Sequence, residues 1–215
     1  MFKNPLKLQH NDSHKVFATS DLHKGHNKNF IFEKRGFKSI QEHDEFLISK
    51  INECVRSQDS ILMLGDIALN TSFDQFNEFL SRINCQNIYY IFGNHESCTK
   101  RAFQETIFKE FGRNDIEVYP IRYRNIIFLG NYVELVINKV NIIASHYSHQ
   151  VWNGMHHGSI HLNAHSHYGN PLTRADYKDA LSLDIGFDGH KKPLSFDEIM
   201  EIMKTKKYTK IDDHH

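Results

Sequence analysis

Apolar and polar residues run in two different periods through the first half of the chain. Residues 15–20 (KVFATS), 60–64 (SILML) and 87–92 (NIYYIF) are short β-prone runs, each stopped by a polar or glycine-containing loop. Between them the period lengthens. Residues 40–55 set Phe46, Leu47, Ile51, Cys54 and Val55 at helical spacing, and residues 73–83 set Phe73, Phe76, Phe79, Leu80 and Ile83 on one side. A third helix is expected over residues 100–111. After about residue 115 the texture becomes β-rich: 126–129, 132–137, 140–144, 160–163 and 181–183 are apolar runs separated by Gly, Asn and polar turns. Ser195, with Glu198 three residues on, reads as an N-cap and its capping-box acid, opening a helix through about Lys204. The order predicts an α/β fold in one domain, with two β-containing layers and outer helices. No internal repeat or low-complexity linker divides residues 1–215, and the core is expected over about residues 15–205.

Charge narrows the partners. Lys and Arg number 26 and Asp and Glu number 26, so the net charge is zero with histidine neutral. Binding dominated by phosphate counterion release needs a surplus of Lys and Arg, and so does a polybasic membrane anchor. Neither is expected. No apolar run approaches the roughly 18 residues of a membrane span, and Met1-Phe2-Lys3-Asn4-Pro5 lacks a signal-peptide core. Cys54, Cys85 and Cys98 are odd in number and form no CxxC, so a reducing, cytoplasmic setting is the default. His214-His215 ends the chain and is given no role. The composition is otherwise ordinary, except that 16 residues are histidine.

Those histidines gather where predicted strands end. The first strand leads to Asp21-Leu22-His23, the second to Gly65-Asp66 and the third to Gly93-Asn94-His95-Glu96. Later strands end in Ser145-His146 and in Ala164-His165-Ser166-His167. In α/β sheets, ligands lie beyond the carboxyl ends of the strands. Asp21 and His23 are two apart, as are His165 and His167. In extended backbone such pairs project to one side. Carboxylate, imidazole and amide oxygen together suit divalent ions such as Mn, Fe, Zn or Ni, and the donors suffice for two, with Asp66 able to bridge.

Taken in order, these five motifs resemble those of calcineurin-like metallophosphoesterases, over about residues 15–190. The run Ser20-Asp21-Leu22-His23-x-Gly25-His26-x-x-Asn29, Trp152, and His156-His157-Gly158-Ser159-Ile160-His161-Leu162 resemble a small bacterial and phage-borne subgroup. The resemblance implies a four-layer α/β/β/α sandwich of two mixed sheets flanked by helices. It implies one metal held by Asp21, His23, Asp66 and His167, and a second held by Asp66, Asn94, His146 and His165. It implies a metal-bridging hydroxide as nucleophile and His95 as general acid or transition-state stabiliser. The cofactors expected are two divalent ions, manganese first, with iron, zinc or nickel as alternatives. Two such ions would clamp both ends of an in-line displacement and supply the positive charge that the neutral chain lacks. Substrate contacts are assigned to His26, Asn94 and His95.

The chain departs from the family twice. Ala164 stands where glycine is common, and Glu96 where aspartate is common. A protein-phosphatase branch is disfavoured, because Ile67-Ala68-Leu69 follows Asp66 in place of Asp-Arg-Gly. The remaining polar residues read more plainly. His149, His156, His157 and His161 form a polar loop covering the site, Trp152 packs in the core, and Lys100 and Arg101 are a solvated helix start. Asp184 and Asp188 fix a loop, and His10, His14, His43 and His190 are surface or loop residues. The expected activity is hydrolysis of a small phosphate ester or nucleotide, or of a nucleic-acid end, with diesters favoured. The rivals are a phosphomonoesterase acting on nucleotides or phosphoproteins, and a catalytically silent metal-dependent binding module.

Overall fold

In the computed structural model, which describes residues 5–113 and 115–211, three parallel strands form the centre of a six-stranded sheet. They are β2 (Val16–Thr19), β3 (Ser60–Met63) and β4 (Asn87–Tyr90), joined through α2 (Ile40–Cys54) and α3 (Phe73–Arg82). On one flank, β6 (Ile126–Phe128) pairs parallel with β4, and β5 (Ile121–Tyr123) pairs antiparallel with β6. On the other, β11 (Leu194–Ser195) pairs antiparallel with β2. The second sheet has five strands in the order β1 (Leu6–Leu8), β7 (Tyr132–Ile137), β8 (Val140–Ser145), β9 (Ile160–Asn163) and β10 (Ser182–Asp184). Only β7 and β8 run antiparallel in it. Both sheets are therefore mixed.

Strand alternation divides the core in two. Phe17, Ile61, Met63, Ile88 and Tyr90 face α2, α3 and α4 (Ser97–Phe111), where Leu47, Ile51, Phe76, Phe79, Phe103 and Ile107 meet them. Val16, Ala18, Leu62, Leu64 and Ile91 face the other way, onto Leu135, Ile142, Leu162 and Leu183 of the five-stranded sheet. The inner layer also receives Phe196, Ile199 and Met203 from α6 (Phe196–Lys204). Ser195 caps α6 as expected: its Oγ accepts from Glu198 N, and Glu198 accepts from Ser195 N. On the far face of the second sheet, Trp152 and Met155 pack on Ile143. Trp152 is core, as its sequence context suggested.

Elements the periodicity did not predict are short. They are β1, β5, β11, α1 (Asn29–Phe32) and α5 (Phe187–His190). Hydrophobic periodicity needs more residues than these supply. The start of α4 also moves. The helix opens at Ser97, directly behind Glu96, so Lys100 and Arg101 lie about one turn in. No helix among the described residues is long and apolar enough to cross a membrane. The cysteines are free thiols. His214-His215 and Met1 to Asn4 lie outside the described residues.

Candidate metal centre

The carboxyl ends of both sheets meet at one rim. Asp21 and His23 follow β2, Asp66 follows β3, and Asn94 and His95 follow β4, while His146 follows β8, and His165 and His167 follow β9. A parallel bridge between Ser20 and Gly186 draws the loop after β10 against the first motif. Ligand atoms of Asp21, His23 and His167 lie within 4.8 Å of one another, and so do those of Asp21, Asp66 and His146. Asp66, a member of the second group, also reaches the first: its Oδ2 is 3.6 Å from His146 Nε2 and 3.9 Å from His23 Nε2.

These atoms lack ordinary partners. Asp21 Oδ1 and both ring nitrogens of His23 are buried without a hydrogen bond, although such groups are normally satisfied. His146 Nδ1 donates to the Leu64 carbonyl at 2.6 Å, so its Nε2 carries the lone pair and faces Asn94 Oδ1 at 2.9 Å. Two acceptors converging in this way are what a shared cation reconciles. The carboxylate, imidazole and amide donors suit a divalent first-row metal. His165 stands at the edge of the cluster, its ring 5.1 Å from that of His146 and 4.5 Å from that of Tyr147. His95 donates its backbone N–H to Asp66 Oδ1 at 2.8 Å, and its exposed ring lies 5.7 Å from that of His23.

The convergence has a backbone cause that differs from the expected one. Asp21, His23, Asp66, His165 and His167 all have φ between 50° and 65°. They are left-handed, not extended, so the i, i+2 pairs converge through turns. Outside glycine this region costs roughly 1–3 kcal/mol per residue and collects at functional sites. Two glycines make the crossing feasible. A Cβ on Gly65 would stand 2.5 Å from Gly93 Cα and 2.9 Å from His146 Nδ1, and one on Gly93 would strike Asp66. Ala164 has no positive φ, and its methyl joins the inter-sheet core, so the departure from glycine is absorbed.

A supporting layer fixes the ligands. Arg35, whose side chain is 2% exposed, was not singled out from sequence. Its Nε and Nη2 donate to the two oxygens of Asp188 at 2.9 and 2.8 Å. It also donates to the carbonyls of Asp21 and Leu22, each at 2.7 Å, and to His43 Nε2 at 2.8 Å. Asp188 in turn accepts from His167 Nδ1 at 2.6 Å, which leaves His167 Nε2 for the centre. Asp184 accepts from Ser166 Oγ at 2.5 Å and from the backbone of Tyr168 at 3.1 Å and Gly186 at 2.8 Å, fixing its loop as expected. Glu96 accepts from the backbone N–H groups of Asp66 and Gly93 at 3.1 and 2.5 Å, from Tyr90 at 2.8 Å, and from Thr99. Its extra methylene relative to aspartate reaches under both glycine turns.

The electrostatics describe a pocket short of positive charge. Burial, reinforced by Asp66 and Asp184 against the opposing effect of His167, pushes Asp21 up to about 7. Burial and then the neighbouring His167 and Arg35 bring His23 down to about 2. Burial likewise lowers His146. A protonated Asp21 beside the neutral rings of His23 and His146 is the arrangement that a cation would convert into a carboxylate with free lone pairs.

Several histidines differ from the expectation. His43 is fully buried in α2, four residues before Leu47 on the same helical face; that spacing was the available signal. His10 is buried too, its Nδ1 accepting from Val16 N at 2.9 Å and its Nε2 meeting Asp197 at 3.0 Å. His14 is a loop residue as expected, half-buried and bonded to Ser60, whereas His190 ends α5, half-buried and bonded to the Asp184 carbonyl. His161 is not in a covering loop. It sits fully buried in β9, its Nε2 accepting from His149 N at 2.9 Å. His149, His156 and His157 are exposed. His26 is buried beside His23, ring to ring 5.4 Å, with an unpartnered Nδ1.

Over 83 residues, 38% of this chain and 47% of the relative, the chain is 31% identical to an uncharacterised protein of Methanocaldococcus jannaschii, MJ1445. The chain thus spans about half the length of that curated relative. A protein of unknown function from Aquifex aeolicus, AQ665, superposes with a TM-score of 0.59 at 18% identity, covering 88% of this chain and 99% of that one. A novel archaeal phosphodiesterase superposes with a TM-score of 0.42 at 16% identity, covering 80% of this chain and 82% of that one. The Aquifex likeness shows the fold alone. The model of the calcineurin-like phosphoesterases matches residues 14–192, most of the chain, and the chain belongs to that family of metal-dependent phosphoesterases.

Proposed function

We propose that the chain hydrolyses phosphate esters, diesters in preference to monoesters, at a centre of two divalent ions. The observation that carries this reading is the pair of ligand groups that share Asp21 and are both reached by Asp66. Asp21, His23, Asp66 and His167 would hold one ion; Asp66, Asn94, His146 and His165 would hold the other. Manganese is the first choice for both. When bound, the ions polarise the phosphoryl oxygens and lower the pKa of water, supplying the nucleophile near neutral pH.

The chain's residues do the rest. Asp66 spans both halves, and its Oδ1 bond to His95 N holds His95 over the rim. The exposed imidazole of His95 donates a proton to the departing alkoxide, the work of a positioned general acid at a leaving group. His26, beside His23, contacts a phosphoryl oxygen, as does Asn94. The diester preference rests on charge. The Arg35 donors are all committed to Asp188, His43 and carbonyls, and Lys24 lies 3.9 Å from Asp44. A monoanionic diester therefore suits the rim better than a dianionic monoester. Manganese-reconstituted protein is expected to bind about two ions per chain. It should turn over bis-p-nitrophenyl phosphate faster than p-nitrophenyl phosphate, and His95→Asn should abolish most of that turnover. A strong monoester preference would reverse the substrate assignment, and a silent protein would leave only the binding-module alternative.

A further inference from the structure

Resting on the phosphoesterase reading, we infer that Tyr147 is a stacking platform for the base of a nucleoside phosphate ester. Tyr147 directly follows His146. Its ring lies 5.2 Å from that of His146 and 4.5 Å from that of His165. Yet 53% of the residue is exposed. One side of the ring is held against two candidate ligands, and the rest is open to solvent at the rim.

The platform is fixed from behind. Ser145 Oγ donates to the Tyr147 carbonyl at 2.8 Å, and Ala164 N donates to the His146 carbonyl at 3.0 Å. Farther along, His149 N donates to the buried His161 at 2.9 Å. Backbone this well anchored has no need of an exposed tyrosine to fold. The neighbourhood repeats the pattern. Tyr132, 41% exposed, stands opposite Ser145 in the β7–β8 register and sets its ring against His149 at 5.9 Å. Tyrosine carries an apolar ring face with a polar tip, so a ring exposed beside a polar site can hold the apolar, planar part of a ligand.

Position selects the ligand class. The Tyr147 ring lies beside those of His146 and His165, so a phosphate held by these residues would bring the sugar and base attached to it towards that ring. Every base has a π-face, so stacking of this kind is tolerant of sequence, and it changes affinity roughly 5- to 150-fold. The chain has no net positive charge to track a long phosphate backbone. The ligand is therefore a mononucleotide-sized ester.

Two probes that differ only in the base test this: adenosine 5′-monophosphate and ribose 5-phosphate. Their dissociation constants are measured by calorimetry on the manganese-loaded full chain, on Tyr147→Ala and on Tyr147→Phe. Wild type and Tyr147→Phe should bind the nucleotide roughly 5- to 150-fold more tightly than the sugar phosphate. In Tyr147→Ala that ratio should fall towards one, whatever the substitution does to His165. Equal affinities in wild type, or an unchanged ratio in Tyr147→Ala, overturn the inference. Hydrolysis of bis-p-nitrophenyl phosphate, followed in parallel, separates the two readings. Turnover without base discrimination removes the platform and keeps the phosphoesterase. Absence of turnover together with absence of binding to either phosphate removes both.

Discussion

Asp188 accepts the Nδ1 proton of His167 across 2.6 Å, and this contact decides which nitrogen His167 presents to the centre. It also sets the charge of both groups. The bond to Asp188 raises His167 above its ordinary value. Burial alone would raise the Asp188 carboxyl, but bonds from His167 and Arg35 hold it well below the usual carboxylate range. Asp188→Asn removes that charge and turns an amide towards Arg35. Because partners behind a ligand orient it, metal affinity is expected to fall roughly 10- to 100-fold. Competition with a chelator for zinc reads this directly. Affinity within a factor of about two of wild type would show that His167 orients without Asp188.

Arg35 is the other half of that arrangement. Its guanidinium joins the first motif, α2 and α5, and its partner Asp188 is 153 residues away in sequence. Arg35→Met leaves the partly buried Asp188 carboxylate with His167 as its remaining side-chain donor and frees two carbonyls. Breaking a buried pair from one side typically costs about 3–5 kcal/mol. Urea unfolding of metal-free protein should show a loss of that size. Arg35→Lys keeps the charge but not the planar fork, and should fall between the two.

These two residues show where the sequence could be read and where it could not. The rim was legible because five strands each end in a polar cluster, and strands of this sheet type align their ends. Trp152 and the Ser195 cap were legible because their signals are local. Arg35 sits in a polar run, Glu33-Lys34-Arg35-Gly36, that looks like any exposed turn. Only tertiary contact distinguishes it. The left-handed backbone of Asp21, His23, His165 and His167 was equally hidden, since neither Asp nor His announces positive φ as Gly does. His161 misled because a polar residue in a histidine-rich stretch suggests a loop, whereas here it is a central-strand residue with both nitrogens bonded.

Glu96 ties two turns together. Its carboxylate accepts from Asp66 N and Gly93 N as well as from Tyr90 and Thr99. Burial raises its pKa despite these donors. Glu96→Gln replaces one acceptor oxygen with an NH2 group that must face a donor. An unsatisfied buried donor costs about 1–3 kcal/mol, so a stability loss in that range is expected from urea unfolding of the metal-free chain. An unchanged midpoint would mean that the turns hold themselves.

Metal uptake should release protons in a pH-dependent way. Without metal, Asp21 is pushed up to about 7 by burial, and His167 is raised by Asp188. Both must lose their protons before they can act as ligands. At pH 6 uptake is therefore expected to release between about one and two protons per chain, and the share from Asp21 should vanish as the pH rises well above 7. Calorimetry in buffers of different ionisation enthalpy counts them. An enthalpy independent of buffer at pH 6 would contradict the assignment of these residues as ligands.

Acid should destabilise the metal-free fold partly through His161. Its Nδ1 donates to the Ile143 carbonyl at 3.2 Å and its Nε2 accepts from His149 N at 2.9 Å. Only the neutral ring makes both bonds, and burial brings its pKa from 6.5 down to about 3. The unfolded chain takes up this proton near 6.5, while the folded chain resists it until about pH 3. Between those values the unfolded state holds more protons. Stability is therefore lost as pH falls, by up to about 1.4 kcal/mol per unit. His161→Gln keeps one donor and one acceptor but does not titrate. Unfolding free energies at pH 7 and pH 5 should show wild type losing about 2 kcal/mol more than His161→Gln over that interval. The comparison is a difference of differences, so a uniform cost of the substitution drops out, and so do the other histidines common to both proteins. Equal losses would mean that His161 is protonated in the folded chain, and that the bond to His149 N, which anchors the loop behind Tyr147, does not survive in solution.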